Sequence, residues 1–309
     1  MIRTTLEAVE PAARVVALGS FDGVHLGHQR VIGRAVEAAA DRGARSAVVT
    51  FEPHPMQVLR PELAPRELST PERRAALIEQ LSPDELVVIR FTRDFSMIEH
   101  ERFVEEVLRD RLGAELVIVG RNFRYGHRAQ GSIETLADAG GRLGFETEPA
   151  PLVELDGAPV SSSRIRDLLS AGEVAHAERL LGRHPWLDGV IVRGDGRGRE
   201  LGFATANLES APHTAFPATG IYAGRAHLAD GSRPAAISVG YNPTFTDDRA
   251  HLRVEAHLLD FDRDIYGEPM HLEFVRRLRG EERFGSVDEL VAQVHRDIAA
   301  VRGDPLVWR

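Results

Sequence analysis

The chain has 309 residues, 43% hydrophobic and 28% charged, with a formal net charge of −9. That length suits two ordinary domains of about 150 residues each, and the acidic balance argues against a nucleic-acid binder. Cysteine is absent, which excludes disulfides and thiolate chemistry, and all 38 basic residues are arginine, which excludes a Walker-type lysine loop. No apolar run approaches the roughly 20 residues of a membrane span. The opening stretch MIRTTLEAVEPAARVV has no signal-peptide core, so a cytoplasmic address is expected.

The first half alternates strand and helix patterns. RVVALGSF (14–21), SAVVTF (46–51), ELVVIRF (85–91) and AELVIVG (114–120) read as buried strands. HQRVIGRAVEAAADRG (28–43) reads as a helix stopped by Gly43. TPERRAALIEQL (70–81) is a helix with Thr70 as N-cap and Pro71 at its first position. EHERFVEEVLRDRLG (99–113) places Phe103, Val104, Val107, Leu108 and Leu112 on one helical face. Such alternation implies an α/β domain: a Rossmann-like parallel sheet with helices on both faces, binding its ligand beyond the carboxyl ends of the strands. GRHPWLDG (182–189) reads as a linker, giving domains 1–182 and 183–309. Beyond it, GVIVRG, GIYAGRAHL, AAISVGY and LRVEAHLLDF are short strands between turns, the pattern of an antiparallel sheet or barrel. The chain closes with a helix over 286–302, with Ser286 and Glu289 in a capping box and Leu290, Val294, Ile298 and Val301 on one face.

The first chemical constellation is GSFDGVHLGHQR (19–30). His25 and His28 follow a strand and open a helix, where unpaired backbone N–H groups and the positive dipole end suit a phosphate. Residues i and i+3 share a face, so both imidazoles can address one anion. Gly27 keeps bulk away from the backbone, and imidazole can donate as negative charge develops. A zinc site would want a third ligand, and no HExxH pattern is present. Two histidines that merely cap a helix are the plainer alternative.

GSFDGVHLGH resembles the GxFDGxHxGH signature of the nucleotidyltransferase superfamily. SSSRIRDLL (161–169) resembles its second signature. The resemblance implies that Gly19, Phe21, Asp22 and Gly27 shape a nucleotide site, that Ser162 and Ser163 donate hydroxyls, and that Arg166 clamps phosphate. TFEPHP (50–55) and VGRNFRYG (119–126) are similar to the flavin-side motifs of prokaryotic FAD synthetases, which implies that Asn122 and Phe123 lie near flavin and ATP. Many relatives carry Asp in place of Asn122 and Thr in place of Ser163; both changes keep hydrogen-bonding capacity.

VRGDGRGRELGFATANL (192–208) is neither a Walker loop nor a Rossmann fingerprint. It resembles the GRxLGFPTANL motif of riboflavin kinases, with Ala204 in place of proline. GIYAG (220–224), SVGYNPTF (238–245), VEAHLLDFDRDIYG (254–267) and FVRRLRGEERFGSVDELVAQVHRD (274–297) follow in family order. The resemblance spans nearly the whole chain and implies a bifunctional riboflavin kinase/FMN adenylyltransferase. It implies ATP, riboflavin, FMN and FAD as substrates and products, and a riboflavin kinase barrel with a terminal helix as the second domain. Gly196 and Gly198 would approach the nucleotide. Mg²⁺ prefers oxygen ligands and keeps waters, which suits the Thr205 hydroxyl and the Asn207 amide. Glu255 is the candidate base for a ribityl hydroxyl. Neither nucleic acid nor membrane is an expected partner, and oligomeric state is left open.

Overall fold

The computed structural model describes residues 1–194, 196, 198, 201–241 and 252–308. Part of the glycine-rich loop and the NPTF end of SVGYNPTF lie outside the described residues. The chain divides into two compact units, Met1–Ser162 and Ser163–Arg309.

The first unit is built on a six-stranded parallel sheet. Its strands are β1 (Ile2–Thr5), β2 (Arg14–Leu18), β3 (Arg45–Glu52), β4 (Glu85–Arg90), β5 (Ala114–Gly120) and β6 (Glu146–Ala150), in the order β1-β4-β3-β2-β5-β6. Helix α1 (Leu26–Arg42) joins β2 to β3 and ends on Gly43, whose φ of 65° needs no side chain. Helices α2 (Pro55–Leu59) and α3 (Pro71–Glu79) precede β4. Thr70 caps α3 by accepting the Arg73 N–H at 3.2 Å. The helix expected over 99–113 opens as α4 (His100–Arg102) and continues with a π-helical register over Phe103–Arg111. The wider register puts Phe103 above Leu108 and Val107 above Leu112, and all four are buried. They join Val16, Leu18, Val49 and Leu136 in one apolar core. The α1 residues Val31, Ile32 and Ala35 are buried outside that cluster, and α1 packs on β2 and β3.

Strands β1 and β6 fall outside the sequence expectation, and both are edge strands. β1 is largely exposed and shows no apolar alternation. β6 contains Pro149, which an edge tolerates because no ladder partner needs its missing N–H. Helix α5 (Ile133–Leu143) and the small hairpin β7 (Glu154–Leu155) with β8 (Ala158–Pro159) complete this unit.

At the amino ends of the central strands, Arg14 is fully buried. Its Nε donates to Glu85 Oε2 at 2.6 Å, and its terminal nitrogens donate to the carbonyls of Glu10, Ala12 and Leu112. Arg45 adds a second bond to Glu85 Oε1 at 2.7 Å. Burial pushes the Glu85 carboxyl up, but Arg14 and Arg45 together hold it below its ordinary value. Removing one partner of such a buried set strands a charge. Glu85→Ala is therefore expected to destabilise the first unit by about 3–5 kcal/mol, read as a lower urea midpoint by circular dichroism. An unchanged midpoint would mean that the Arg14 guanidinium finds other acceptors.

The second unit takes in most of α6 (Ser162–Ser170) and all of α7 (Val174–Leu181). A closed antiparallel barrel follows: β9 (Trp186–Val192), β10 (Ala206–Ser210), β11 (Gly220–Leu228), β12 (Gly231–Tyr241), β13 (Leu252–Leu258) and β14 (Pro269–Arg279), in the order β10-β13-β12-β11-β14-β9. The expected linker over 182–189 is corrected here. β9 starts at Trp186 and pairs with both β10 and β14, so its first residues belong to the barrel wall. The terminal helix α8 (Val287–Arg302) packs on β11 and β12. Ser286 caps it by accepting the Glu289 N–H, and the Glu289 carboxylate reaches back to Gly285 N–H, one residue beyond the usual capping box.

Toward the outside of this barrel, Glu273 of β14 faces Arg225 and His227 of β11, at 2.7 Å and 3.2 Å. Burial raises the Glu273 carboxyl, but hydrogen bonds and charge from His227 and Arg225 outweigh it and hold the carboxyl at about 2, against an ordinary 4.5. A folded-state value below the unfolded one gives stability that is complete above the ordinary value and lost as pH falls through the folded one. Both tryptophans, Trp186 and Trp308, lie in this unit. Acid unfolding followed by tryptophan emission is expected to steepen below about pH 4.5, and Glu273→Gln is expected to flatten that part of the curve.

Candidate active sites

In the first unit the strand order reverses between β2 and β5, so their carboxyl ends open a crevice. β2 delivers the chain to it at Gly19. The loop over 19–25 then turns into α1 with Phe21, Gly23 and Val24 at φ of 49°, 76° and 38°. His25 is the N-cap of α1, and its ring Nδ1 accepts the His28 N–H at 3.3 Å. That bond assigns the ring proton of a neutral His25 to Nε2. One turn on, the His28 ring stacks on His25 with centroids 3.6 Å apart and planes 18° from parallel. The edge of Phe21 meets His28 at 5.3 Å. Gly27 permits this stack, since a Cβ there would stand 3.1 Å from His25 Cε1.

Gly19, Phe21, His25, Gly27, His28, Asn122 and Phe123 all line one cavity of about 1020 Å³, ample for a nucleotide beside a second ligand. Asn122 and Phe123 follow β5, on the other side of the switch point. The Phe123 ring stacks on Tyr125 at 5.8 Å. Asp22 is buried at 2% exposure, with its carboxylate turned to the backbone amides of Leu68 and Ser69. The Ser162 hydroxyl donates to the Asp22 carbonyl at 2.9 Å, tying the second motif to the first. Ser163 and Arg166 lie in the first turns of α6, within the second unit, Ser163 exposed and Arg166 half-buried.

The cavity also contains residues that the motifs do not mark. Phe91 and Phe95 add aromatic rings 5.8 Å apart, and Arg60 and Arg93 supply cations; Arg124 and Tyr125, from the VGRNFRYG stretch, line it too. FTRDF (91–95) held the available signal, two aromatics and an arginine directly after a buried strand.

The second site lies on the barrel. Antiparallel pairing of β10 with β13 sets Asn207 directly opposite Glu255. Thr205 Oγ1 donates to Glu255 Oε2 at 3.2 Å, and Arg253 donates to Oε1 at 3.3 Å. A Cβ on Gly194 would overlap the Asn207 amide, and one on Gly198 would press on the Phe203 carbonyl, so Gly194 brings backbone close to the Asn207 side chain and Gly198 close to the Phe203 backbone. Gly194, Gly196, Thr205 and Asn207 line a cleft of about 130 Å³. Gly198 accepts the Phe203 N–H at 2.7 Å beside it. The donors gathered here are oxygens. Among the described residues, no group of three or more His, Asp or Glu side chains is placed to hold a metal.

Residues 8–164 match the family model for FAD synthetase, and residues 181–303 match that for riboflavin kinase. The bifunctional riboflavin kinase/FMN adenylyltransferase of Bacillus subtilis is 37% identical over 93% of this chain and 91% of its own. The chain belongs to the bifunctional riboflavin kinase/FMN adenylyltransferase family. Members from Pseudomonas fluorescens, at 37% identity, and Escherichia coli, at 32%, align over the same 93% of the chain and over 92% and 91% of their own lengths. A crystal structure described as a macrolide-efflux protein from Streptococcus pneumoniae superposes with a TM-score of 0.88 at 29% identity, covering 98% of this chain and all of that one. The efflux description is that protein's own. Among the described residues of this family member, no helix is long and apolar enough to cross a membrane.

Proposed function

We propose that the chain makes FAD from riboflavin in two ATP-dependent steps, one in each unit. The observation that carries this reading is the presence of both sites in one chain: the stacked His25–His28 pair in its cavity, and Asn207 opposite Glu255 beside Thr205.

In the barrel, the terminal ribityl hydroxyl of riboflavin attacks the γ-phosphorus of ATP. Its proton passes to the Glu255 carboxylate, the bond from the γ-phosphorus to the bridging oxygen breaks, and ADP leaves. The oxygen donors of Thr205 and Asn207 fit Mg²⁺, which takes few protein ligands and keeps waters and phosphate oxygens. When bound, Mg²⁺ would supply charge neutralisation at the phosphates. Thr205 and Arg253 orient the two Glu255 oxygens.

In the first unit, a phosphate oxygen of FMN attacks the α-phosphorus of ATP and pyrophosphate leaves. The nucleophile is already an anion near neutral pH, so no base is needed. His25 and His28 donate to phosphate oxygens as charge builds, the α1 N-terminus adds its dipole, and Ser162 steadies the loop through the Asp22 carbonyl. Asn122 and Phe123 lie beside the flavin and adenine. Asp22 shapes the loop through its backbone contacts.

Incubation with riboflavin, ATP and Mg²⁺ followed by chromatography of the flavins tests the reading. FMN and then FAD are expected. A reaction without FMN would remove the kinase assignment, and FMN without FAD would remove the adenylyltransferase assignment.

A further inference from the structure

The loop over 19–25 carries three left-handed residues among four, and one of them is Val24. A β-branched side chain resists that conformation, and it persists only where the surroundings over-determine it. The contacts that hold it come from a segment no motif marks. The Asp22 carboxylate accepts the Leu68 N–H at 2.9 Å and the Ser69 N–H at 3.2 Å. The Ser69 hydroxyl in turn accepts the Gly23 N–H at 3.1 Å and stands 3.5 Å from Asp22 Oδ1. Asp22–Gly23 and Leu68–Ser69 thus exchange hydrogen bonds in both directions, and Asp22 and Ser69 are buried at 2% and 4% exposure.

The same clamp fixes both ends of the loop. Leu68 packs over Gly23 so closely that a Cβ there would come within 2.8 Å of Leu68 Cδ1. Ser69 directly precedes Thr70, the N-cap of α3, so the clamp is anchored to a helix. From the first turn of α3, buried Arg74 reaches the Ser20 carbonyl at 3.3 Å. The Asp22 carbonyl receives the Ser162 hydroxyl, and the Val24 carbonyl receives the Gln29 side chain at 2.9 Å. Neighbouring Glu67 has its carboxyl raised by burial and by the Asp22 charge, with Arg74 opposing. The Asp22 carboxylate in the clamp is bonded by the backbone amides of Leu68 and Ser69.

We propose that Ser69 is a positioning residue for adenylyl transfer: with Asp22 it locks the 19–25 loop so that the His25–His28 stack meets the α-phosphate. This rests on the reading that the stack acts on phosphate. Ser69 is not among the residues that line the cavity, so its loss moves the stack without removing a lining group.

Ser69→Val and Ser69→Thr are nearly the same shape, and only threonine keeps the oxygen that accepts from Gly23. With Ser69→Val, kcat for FMN adenylylation is expected to fall by about 10²-fold, the effect of misplacing reacting groups by roughly 1 Å, while KM for ATP and FMN stays near that of the parent. Ser69→Thr is expected to recover most of kcat, and riboflavin phosphorylation by the same preparations should match the parent. Equal kcat for the Val and Thr variants would overturn the proposal, as would a parallel loss of both activities. His28→Ala run alongside separates the two ideas: if it leaves adenylylation intact, the phosphate role of the stack fails, whatever Ser69 does.

Discussion

Glu255→Gln is expected to lower riboflavin phosphorylation by about 10²–10⁴-fold, the usual contribution of a general base, while conversion of supplied FMN to FAD continues at the parental rate. The ribityl hydroxyl is a neutral alcohol and must lose its proton as the new P–O bond forms. Glu255 is the carboxylate that cross-strand pairing sets opposite Asn207, and Thr205 and Arg253 hold its two oxygens. Glutamine keeps the length and the hydrogen-bonding plane but cannot take a proton. Its position on β13 preserves the ladder, so tryptophan emission from Trp186 and Trp308 should be unchanged. Chromatographic rates of FMN formation decide the matter, and parental rates would remove Glu255 from the role of base.

His28→Ala is expected to give the complementary result: FMN accumulates, and its conversion to FAD falls by about 10²–10³-fold, the usual loss with one preorganised donor at a charge-building centre. The FMN phosphate attacks as an anion, so this step depends on donors already in place. The stack at 3.6 Å makes His28 also the support of the His25 ring. Alanine therefore removes one donor and loosens a second. Equal loss of both activities in folded protein would contradict separate sites.

Buried strands of the parallel sheet are legible because strands covered on both faces are continuous apolar runs: AELVIVG coincides with β5. In the antiparallel barrel, GIYAGRAHL coincides with β11, bounded by turns. Strands β1 and β6 are missed because edge strands need no continuous apolar runs. The π-helical stretch is equally invisible, since Phe103, Val104, Val107 and Leu108 fit a 3.6-residue period almost as well as the wider turn the chain adopts. Motif residues were legible because chemistry constrains their type and spacing. The clamp residue Ser69 was not, because a serine before a helix cap reads as loop, and only the fold brings it to Gly23. The same holds for Phe91, Phe95 and Arg93, which the motifs leave unmarked and the cavity gathers.

Asn207 and Glu255 meet only through the β10–β13 ladder, and β10 is also paired along its other edge with β9. A slip of β10 by one residue would turn Asn207 to the opposite face of the wall, away from Glu255. No short segment of the chain can assemble this site alone, because its two halves lie far apart in sequence and join only when the barrel closes. Partial unfolding should therefore leave no residual turnover of riboflavin. Kinase activity should disappear in step with opening of the barrel, which makes it an all-or-none gauge of that cooperative event.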